Sequence, residues 1–594
     1  MEETAQPSGK TTLPIILIAA LVQGWGLFGL HHALDMHRWP ATDSAWLIAL
    51  YTIAIFVPLS VELLARHAAT RTAWMIVAAV AAVFLYFGWH QGAVQLEVRN
   101  KWDLIGDNFS FALPLTVLWL LMMPFVQGRL ATGRWRVPYA TLFANAWRNK
   151  LLLAEAGLFT GLFWLLLELW QTLFHMLAID FFKELFEKPL FVYPVTAITF
   201  GIALHLIGSI DRLTSVVLEQ LLNVLKWLAV VAGTLLAIFT IALALKLPGL
   251  VFMGERAIGA AWLLWLVAVI VLLLNAAFRD GSVDRPYPAW IATPLRFIVP
   301  LTVVISLTAI YALIVRTQHY GITVERTWAF VVAGTAFIYS VGYSVAAWRP
   351  GPWMGQIARV NVQVALALML VLSVILTPVM SPQRLSANSQ FQMALRQAVA
   401  STEPRFRWNS PFHYLRFDAG TYGREKLLQL AALQNNPDAE RIRRLAAAAL
   451  AQENKWQDVS TTTPEEIREN LACVSIYPQS RTVDAALMDV VVADLLARRS
   501  VLPFPSSRDN AAGVFVDLND DNSDEFVLLQ QFGGPVFENR NGTWVRIGSL
   551  VTDANASSPL KLPDALTKGD FSAVAPKWKL LSVADHRYRV DPQR

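Results

Sequence analysis

Three polar side chains lie on one face of a long apolar segment, residues 151–179. Gln171 and His175 follow Glu168 by three and seven positions. At about 100° per residue, these spacings place all three on the same side of a helix. Ionisable groups at membrane depth are costly unless they have partners, and they often belong to ion or proton paths. The segment therefore predicts such a path, with Glu168 as a mid-membrane carboxylate and His175 as its outer relay.

The same pattern also fits a purely structural role, in which Glu168 is buried with a partner and fixes helix packing. Two further candidates for the path are Glu155, on another side of this segment, and His205, at a similar expected depth in the next one. These two are predicted to form a hydrogen-bonded ion pair. Glu62 lies near the end of the second apolar segment, where its side chain is expected to snorkel toward the interface.

The most specific chemical signal lies near the C-terminus, in the sequence DLNDDNSDE at 517–525. Oxygen-bearing residues alternate along it, and calcium prefers six to eight oxygen ligands. The predicted ligands are Asp517, Asn519, Asp521, Ser523 (through its backbone carbonyl) and Glu525. An EF-hand would need a carboxylate at the twelfth position and helical flanks. Here Leu528 occupies that position and the flanks have the alternation of strands.

The loop instead resembles the strand–loop–strand calcium loops of FG-GAP and VCBS-type blades, with the pattern DxNxDGxxE. Asn522 stands where those loops usually have glycine, and asparagine tolerates the left-handed backbone that glycine adopts there. The expected cofactor is a structural calcium ion. The alternative is an acidic, solvated hairpin loop that holds no metal.

The amino-acid composition indicates the kind of structure that holds these polar residues. The chain has 594 residues, of which 55% are hydrophobic and 16% charged, whereas soluble domains are about 25% charged. A bilayer core of about 30 Å needs roughly 20 apolar residues per helix. The sequence therefore predicts an α-helical membrane bundle of eleven spans: 13–34, 44–65, 72–92, 109–128, 151–178, 190–210, 222–246, 257–278, 292–315, 327–348 and 357–379.

Basic residues in the short loops predict the orientation of these spans. With the N-terminus in the cytoplasm, 13 Lys and Arg lie on the cytoplasmic side and 9 on the other, and loop 129–150 supplies most of the excess. An odd number of spans then places the C-terminal region outside, in the periplasm. Residues 179–188 have the spacing of an interfacial helix on that outer side. Gly157 and Gly161 form a small-xxx-small pair, which predicts close contact with another helix.

The C-terminal region is predicted to be a soluble α+β region with a small antiparallel β unit. Helices are expected at 386–400, 427–433, 437–452 and 483–499, and strands at 513–517, 525–530, 535–539 and 543–548. Asn541-Gly542 is a hairpin signal, and 578–583 with 586–590 suggest a closing hairpin. The predicted domains are 1–380, transmembrane; 381–500, helical and soluble; and 501–594, a small β domain with the acidic loop.

Several function classes receive no support. Cys473 is the single cysteine, so neither an internal disulfide nor a Cys/His zinc cluster is expected. The chain lacks a long basic run, which disfavours nucleic acid as a partner. Phosphate-binding glycine loops and the GxSxG and HExxH motifs are absent from the sequence, so enzymatic activity is not favoured. The outer-side acids Asp35, Asp43, Asp103 and Asp107 are scattered and support a lipid-linked transferase only weakly.

Three stretches carry a family resemblance: LVQGWGLFGLHHALDMHRWPATD at 21–43, the segment 168–204, and FHYLRFDAGTYGREKL at 412–427 followed by the acidic loop and GTWVRIG at 542–548. On these motifs the chain resembles the bacterial membrane-protein family named domain of unknown function 4153. The resemblance implies a polytopic inner membrane protein of Gram-negative type. It implies no established activity and transfers no catalytic residues.

Three functions follow as expectations. The first is a transporter or ion-coupled permease with Glu168 and His175 in its path. The second is a cell-envelope scaffold or sensor, whose outward, calcium-stapled domain meets an envelope protein or a lipid while the bundle anchors it in the bilayer. The third is a membrane transferase that acts on lipid-linked substrates. A polar cavity that reaches Glu168 would favour the first of these.

Overall fold

The computed structural model describes residues 9–95, 101–209, 211–252, 259–280, 286–349, 355–400, 410–452, 455, 464–472, 474–497, 511–530, 533–551, 581–583 and 586–588. The chain divides into two compact units, residues 1–393 with 415–426 and residues 394–414 with 427–594. Cys473 and the side chains of Asp103 and Asp107 lie outside the described residues.

Eleven helices in the described part of the chain are long and apolar enough to cross a membrane, which confirms the predicted helical bundle. The protein is therefore a polytopic membrane protein whose exposed apolar side chains face lipid. The helices of this region are α1 Gly9–Asp35, α2 Ser44–Leu64, α3 Arg71–Val94, α4 Lys101–Thr132, α5 Tyr139–His175, α6 Phe181–Glu187, α7 Pro189–Ser209, α8 Asp211–Phe252, α9 Ala260–Phe278, α10 Ala289–Ile298, α11 Leu301–Tyr320, α12 Val324–Trp348 and α13 Ile357–Ile375.

Two helices depart from simple spans. The ninth predicted span is broken into α10 and α11 at Pro300, which caps the second piece, because proline cannot donate the backbone hydrogen bond that a continuous helix needs. Helix α5 has 37 residues and at about 1.5 Å per residue is roughly 55 Å long. It is thus much longer than the hydrocarbon core that it crosses.

The closest helix pair in the bundle depends on two glycines of α3. A Cβ at Gly92 would lie 2.1 Å from the Ser44 carbonyl oxygen, and one at Gly88 would lie 2.8 Å from Ala49 Cα. Only glycine permits this approach between α2 and α3. The predicted close contact at Gly157 and Gly161 is wrong, because the space around both positions is open within 4 Å.

In the described part of the chain, six further helices and seven strands follow the bundle. The helices are α14 Pro382–Ala400, α15 Pro411–Phe417, α16 Gly420–Ala431, α17 Ala439–Ala451, α18 Pro464–Ala472 and α19 Ala485–Ala497. The strands are β1 Ser475–Tyr477, β2 Ala511–Val516, β3 Glu525–Gln530, β4 Gly533–Arg540, β5 Thr543–Val551, β6 Leu581–Val583 and β7 His586–Tyr588. The predicted helices and strands are thus present, with shifted ends.

Strands β2 to β5 form the predicted antiparallel unit, and β1 adds a parallel edge that the sequence did not indicate. Asn541 and Gly542 both have positive φ, as a two-residue hairpin turn requires. Strands β6 and β7 pair as the predicted closing hairpin, and its other residues lie outside the described ones. Although a boundary was predicted near residue 500, Leu487 and Val491 of α19 share a core with Phe526 and Phe537 of the sheet.

Candidate functional site

The predicted path residues lie along two packed helices, α5 and α7. Leu152 and Ala156 pack against Ala203 and Leu204 near one end of the pair. Further along, the Trp164 Nε1–H donates to Thr196 Oγ1 at 3.0 Å. The two helices therefore run antiparallel, and the candidates separate into two groups. We name the ends of the pair after Arg66, which donates to the Gly208 carbonyl at one end, and after Phe186 of α6 at the other.

At the Phe186 end, Gln171 Nε2 donates to Glu168 Oε2 at 2.6 Å. Both groups open into a cleft of about 420 Å³. The cleft is lined by Trp164, Leu167, Glu168, Gln171, Phe186, Glu187, Val192 and Thr196. Carboxylates beside aromatic rings form a chemically suitable surface for a cation.

The depth of Glu168 differs from the expectation. Glu168 lies one turn beyond Trp164, whose partner Thr196 is seven residues into α7. At about 1.5 Å per residue, Glu168 is then only about 5 Å from the level at which α7 begins. Glu168 is thus an exposed residue near the end of the helix pair, because α5 extends past α7.

His175, the expected outer relay, is also exposed, and its Nδ1 contacts a carboxylate oxygen of Asp180 just beyond the helix end. It therefore does not join Glu168 and Gln171 in the cleft. Around it, the Trp170 ring stacks on the Phe174 ring, and the ring centroids of Phe174 and Phe182 of α6 are 4.6 Å apart. Such an aromatic cluster is typical of the boundary between lipid and water.

At the Arg66 end, Glu62 of α2 is the most unusual polar residue of the bundle. It is only 5% exposed, and within the described part of the chain neither carboxylate oxygen has a hydrogen-bond partner. A Cβ at Gly201 of α7 would lie 3.6 Å from Glu62 Oε1. The expected snorkelling to the interface is therefore wrong, because α1 and α7 cover this side of α2.

His205 and Glu155 complete this end without forming the predicted pair. His205 Nδ1 lies 3.4 Å from Thr12 Oγ1 of α1. Within the described residues, Glu155 Oε2 is a buried atom without a hydrogen-bond partner. Arg66 and Arg148 both donate to the Gly208 carbonyl, close to where α7 ends.

Sequence reasoning underrated Glu62 because its position at the end of a span suggested that it reached water. A usable signal was present in the other two helices. Gly201 and Ala20 are small residues, and their small size lets α1 and α7 close over the carboxyl group. Pairing helices α1 and α7 before judging the depth of Glu62 would have revealed its burial.

The acidic loop is organised by its own side chains. Asp517 accepts hydrogen bonds from the backbone N–H groups of Asn519, Asp520 and Asn522 at 2.8–3.2 Å. Slight desolvation raises the pKa of Asp517, but these backbone donors outweigh it and hold the pKa below its ordinary value. Asn522 has φ +63°, the left-handed backbone predicted for this position.

Glu525 is 1% exposed and accepts from the Leu518 N–H at 2.7 Å and from Asn519 Nδ2 at 3.1 Å. One carboxylate oxygen each of Asp521, Glu525 and Glu538 lies within 4.8 Å of the others, a spacing that could hold a metal ion. The structure thus brings together two of the predicted ligands with Glu538. The backbone N–H of Ser523, another predicted ligand, donates to Asp521 Oδ1 at 2.8 Å.

Glu538 was missing from the predicted ligands because it belongs to another strand. Phe526 of β3 is paired with Phe537 of β4, so the next residues, Glu525 and Glu538, are neighbours across the two strands. Like charges in such positions repel unless a counter-charge or a cation neutralises them. Arg540 Nε donates to Glu538 Oε2 at 2.7 Å and supplies part of that charge. A predicted register for the two strands would have identified this residue.

Comparisons with models of protein families, with curated proteins and with solved structures found no match for this chain. The geometry of its own sites therefore carries the functional interpretation.

Proposed function

We propose that this polytopic membrane protein is an ion-coupled transporter of the bacterial inner membrane, with a cationic solute as its cargo. Its N-terminus lies in the cytoplasm and its C-terminal unit in the periplasm, as the distribution of basic residues favours. The resemblance to the domain of unknown function 4153 family supports the same membrane. In this orientation the Arg66 end faces the cytoplasm and the Phe186 end faces outward.

The observation that carries the proposal is the cleft of about 420 Å³ at Glu168. Its lining contains the carboxyl groups of Glu168 and Glu187, the amide of Gln171 and two aromatic rings, and it contains no basic side chain. A cation can gain both charge attraction and contact with aromatic faces there. Glu155 and His205, at the opposite end of the α5–α7 pair, supply a second polar site on the proposed cation route.

Transport can be tested with purified protein in liposomes on a solid-supported membrane. Addition of sodium, potassium or methylammonium is expected to produce a charge-movement current that empty liposomes lack. Replacement of Glu168 by Gln should reduce that current by about tenfold, since the loss of one favourable charge interaction of about 1.4 kcal/mol has this effect. Glu184→Gln is the matched control, because Glu184 is an exposed carboxylate of α6 outside the cleft lining.

The proposal fails if none of the three cations produces a current above that of empty liposomes. It also fails if Glu168→Gln and Glu184→Gln behave alike. In either result the cleft would not be a cargo site.

A second candidate function, an envelope scaffold or sensor with a calcium-stapled domain, is favoured by the carboxylate group of Asp521, Glu525 and Glu538. Calcium takes carboxylate oxygens of this kind and would neutralise their mutual repulsion. Millimolar calcium should raise the thermal unfolding midpoint of the full-length protein, and Glu538→Gln should remove that increase. Asp520→Asn is the control, because Asp520 lies in the same loop outside this group. Equal responses of both variants would exclude calcium binding at these carboxylates.

A further inference from the structure

Glu62 has the burial of a core residue and the chemistry of an acid. The side chain is 5% exposed, and both oxygens lack a hydrogen-bond partner among the described residues. An ionised carboxylate in such a place would lose its hydration and gain nothing in return. Such a place favours the uncharged form of an acid over the ionised form.

The surroundings of Glu62 fit a proton better than a metal ion. Gly201 of α7 and two residues of α1 meet beside the carboxyl group: a Cβ at Gly201 would lie 3.0 Å from Ala20 Cβ, 3.3 Å from Ile16 Cγ2 and 3.6 Å from Glu62 Oε1. The Ala20 and Ile16 atoms are apolar, whereas a hard cation needs several oxygen ligands around it. A proton needs only the carboxyl group itself.

One helical turn along α7 from Gly201 lies His205, and one turn along α1 from Ile16 lies Thr12. These two side chains are 3.4 Å apart, toward the Arg66 end. An imidazole changes its charge near neutral pH and is the usual side chain for proton exchange. His205 is partly exposed and lies one turn from Gly201 toward the Arg66 end, so its position is between the level of the buried carboxyl group and that end.

We propose that Glu62 is a proton-binding site of the membrane bundle and that His205 exchanges this proton with the Arg66 end. In the release step the carboxyl O–H bond breaks and an imidazole N–H bond forms, which leaves a carboxylate and an imidazolium. The imidazolium then gives its proton to water, and the reverse sequence reloads the site. This inference does not require a transported cargo.

The charged and titratable groups near the Arg66 end also favour release toward that end. They are Arg66 and His67 after α2, Arg71 at the start of α3, Arg148, Lys150 and Glu155 on α5, and His205 on α7. Arg66 follows Glu62 by four residues and now donates to the Gly208 carbonyl of α7. This guanidinium group, four residues further along the chain and just past the end of α2, could serve the ionised Glu62 as a counter-charge.

Infrared difference spectroscopy of the full-length protein in lipid nanodiscs tests the proposal directly. The wild type is expected to show a carboxylic-acid C=O band at neutral pH, where an exposed glutamate is ionised, and to lose this band in alkaline medium. Glu62→Gln should lack this band. Glu168→Gln is the control, since Glu168 is exposed and hydrogen-bonded to Gln171, and it should retain the band.

Two further variants keep the test decisive. Glu62→Asp retains an acid in the same place and should shift the band without removing it, which covers the case in which Glu62→Gln fails to fold. His205→Ala should retain the band but slow its loss after a pH jump by about tenfold or more, as expected when a general acid–base group is removed. A wild-type protein without the band, or an unchanged band in both Glu62 variants, would overturn the proton site. Unchanged kinetics in His205→Ala would overturn the exchange role of His205.

Discussion

Two regions of the molecule contain a buried glutamate: the crossing of α1, α2 and α7, and the loop 517–525. They differ in whether hydrogen-bond donors surround the carboxyl group. At the crossing, Glu62 is buried and has no hydrogen-bond partner among the described residues. In the loop, Glu525 is even less exposed but accepts hydrogen bonds from Leu518 and Asn519. The first acid thus lacks donors that would stabilise a negative charge, whereas the second has two.

This difference shows that the immediate partners of an acid decide its chemistry, and that its burial alone does not. A carboxylate with backbone donors can stabilise the strands around it and remain ready for a cation. A carboxyl group without donors contributes little to packing, and it is retained at the expense of stability. The same substitution, glutamate to leucine, should therefore change stability in opposite directions in the two regions.

Replacement of Glu525 by Leu should have the largest effect on stability. The change leaves the Leu518 N–H without its acceptor and removes one of the two acceptors of Asn519 Nδ2, which keeps Asp521. Each such loss costs between about 1 and 3 kcal/mol. We expect about 3 kcal/mol of destabilisation, measured as roughly 100-fold faster hydrogen exchange in β2, β3 and β4. Exchange as slow as in the wild type would show that the loop does not depend on this carboxylate.

The same substitution at Glu62 should have the opposite sign. Leucine has a similar volume and removes a buried polar group that lacks partners, which relieves a desolvation penalty of about 1–3 kcal/mol. We expect the bundle to gain about 2 kcal/mol, seen as a higher thermal unfolding midpoint in detergent. A lower midpoint would mean that Glu62 makes a stabilising interaction, and the contrast between the two regions would no longer hold.

Two glycine substitutions measure how tightly α1 and α7 enclose Glu62. Gly201→Ala brings a methyl group to 3.0 Å from Ala20 Cβ, so we expect a loss of about 1 kcal/mol from overpacking. Gly157→Ala is the matched control in α5, where the surrounding space is open. It should leave stability unchanged or raise it by less than about 1 kcal/mol through higher helix propensity. Equal melting midpoints for the two variants would indicate a loose crossing.

In the bundle, the sequence predicted the helices well but the depth of their polar residues poorly. Hydropathy identifies a span because each turn contributes to the same signal, and all eleven spans were found. The depth of a side chain depends instead on which helices pair and where each one ends. The excess length of α5 moved Glu168 to the end of its pair, and the unforeseen contact of α1 with α7 buried Glu62.

In the C-terminal unit, local signals again predicted local structure. The Asn541-Gly542 turn and the left-handed Asn522 follow from residue type alone. The parallel strand β1 and the contribution of Glu538 depend on pairings between distant segments, for which a single sequence offers no local pattern. Only part of the candidate cation site could therefore be identified in advance.

The smallest expected effect concerns Asp517, whose carboxylate orders the loop without being buried. Backbone donors hold its pKa below the ordinary value near 3.9, so its stabilising contribution is present above that pH and is lost as the pH falls through the folded-state pKa. Asp517→Asn should therefore accelerate hydrogen exchange of the loop at neutral pH, and the difference from the wild type should shrink as the medium is acidified. A difference that is constant with pH would show that the hydrogen bonds, and not the charge on Asp517, maintain the loop.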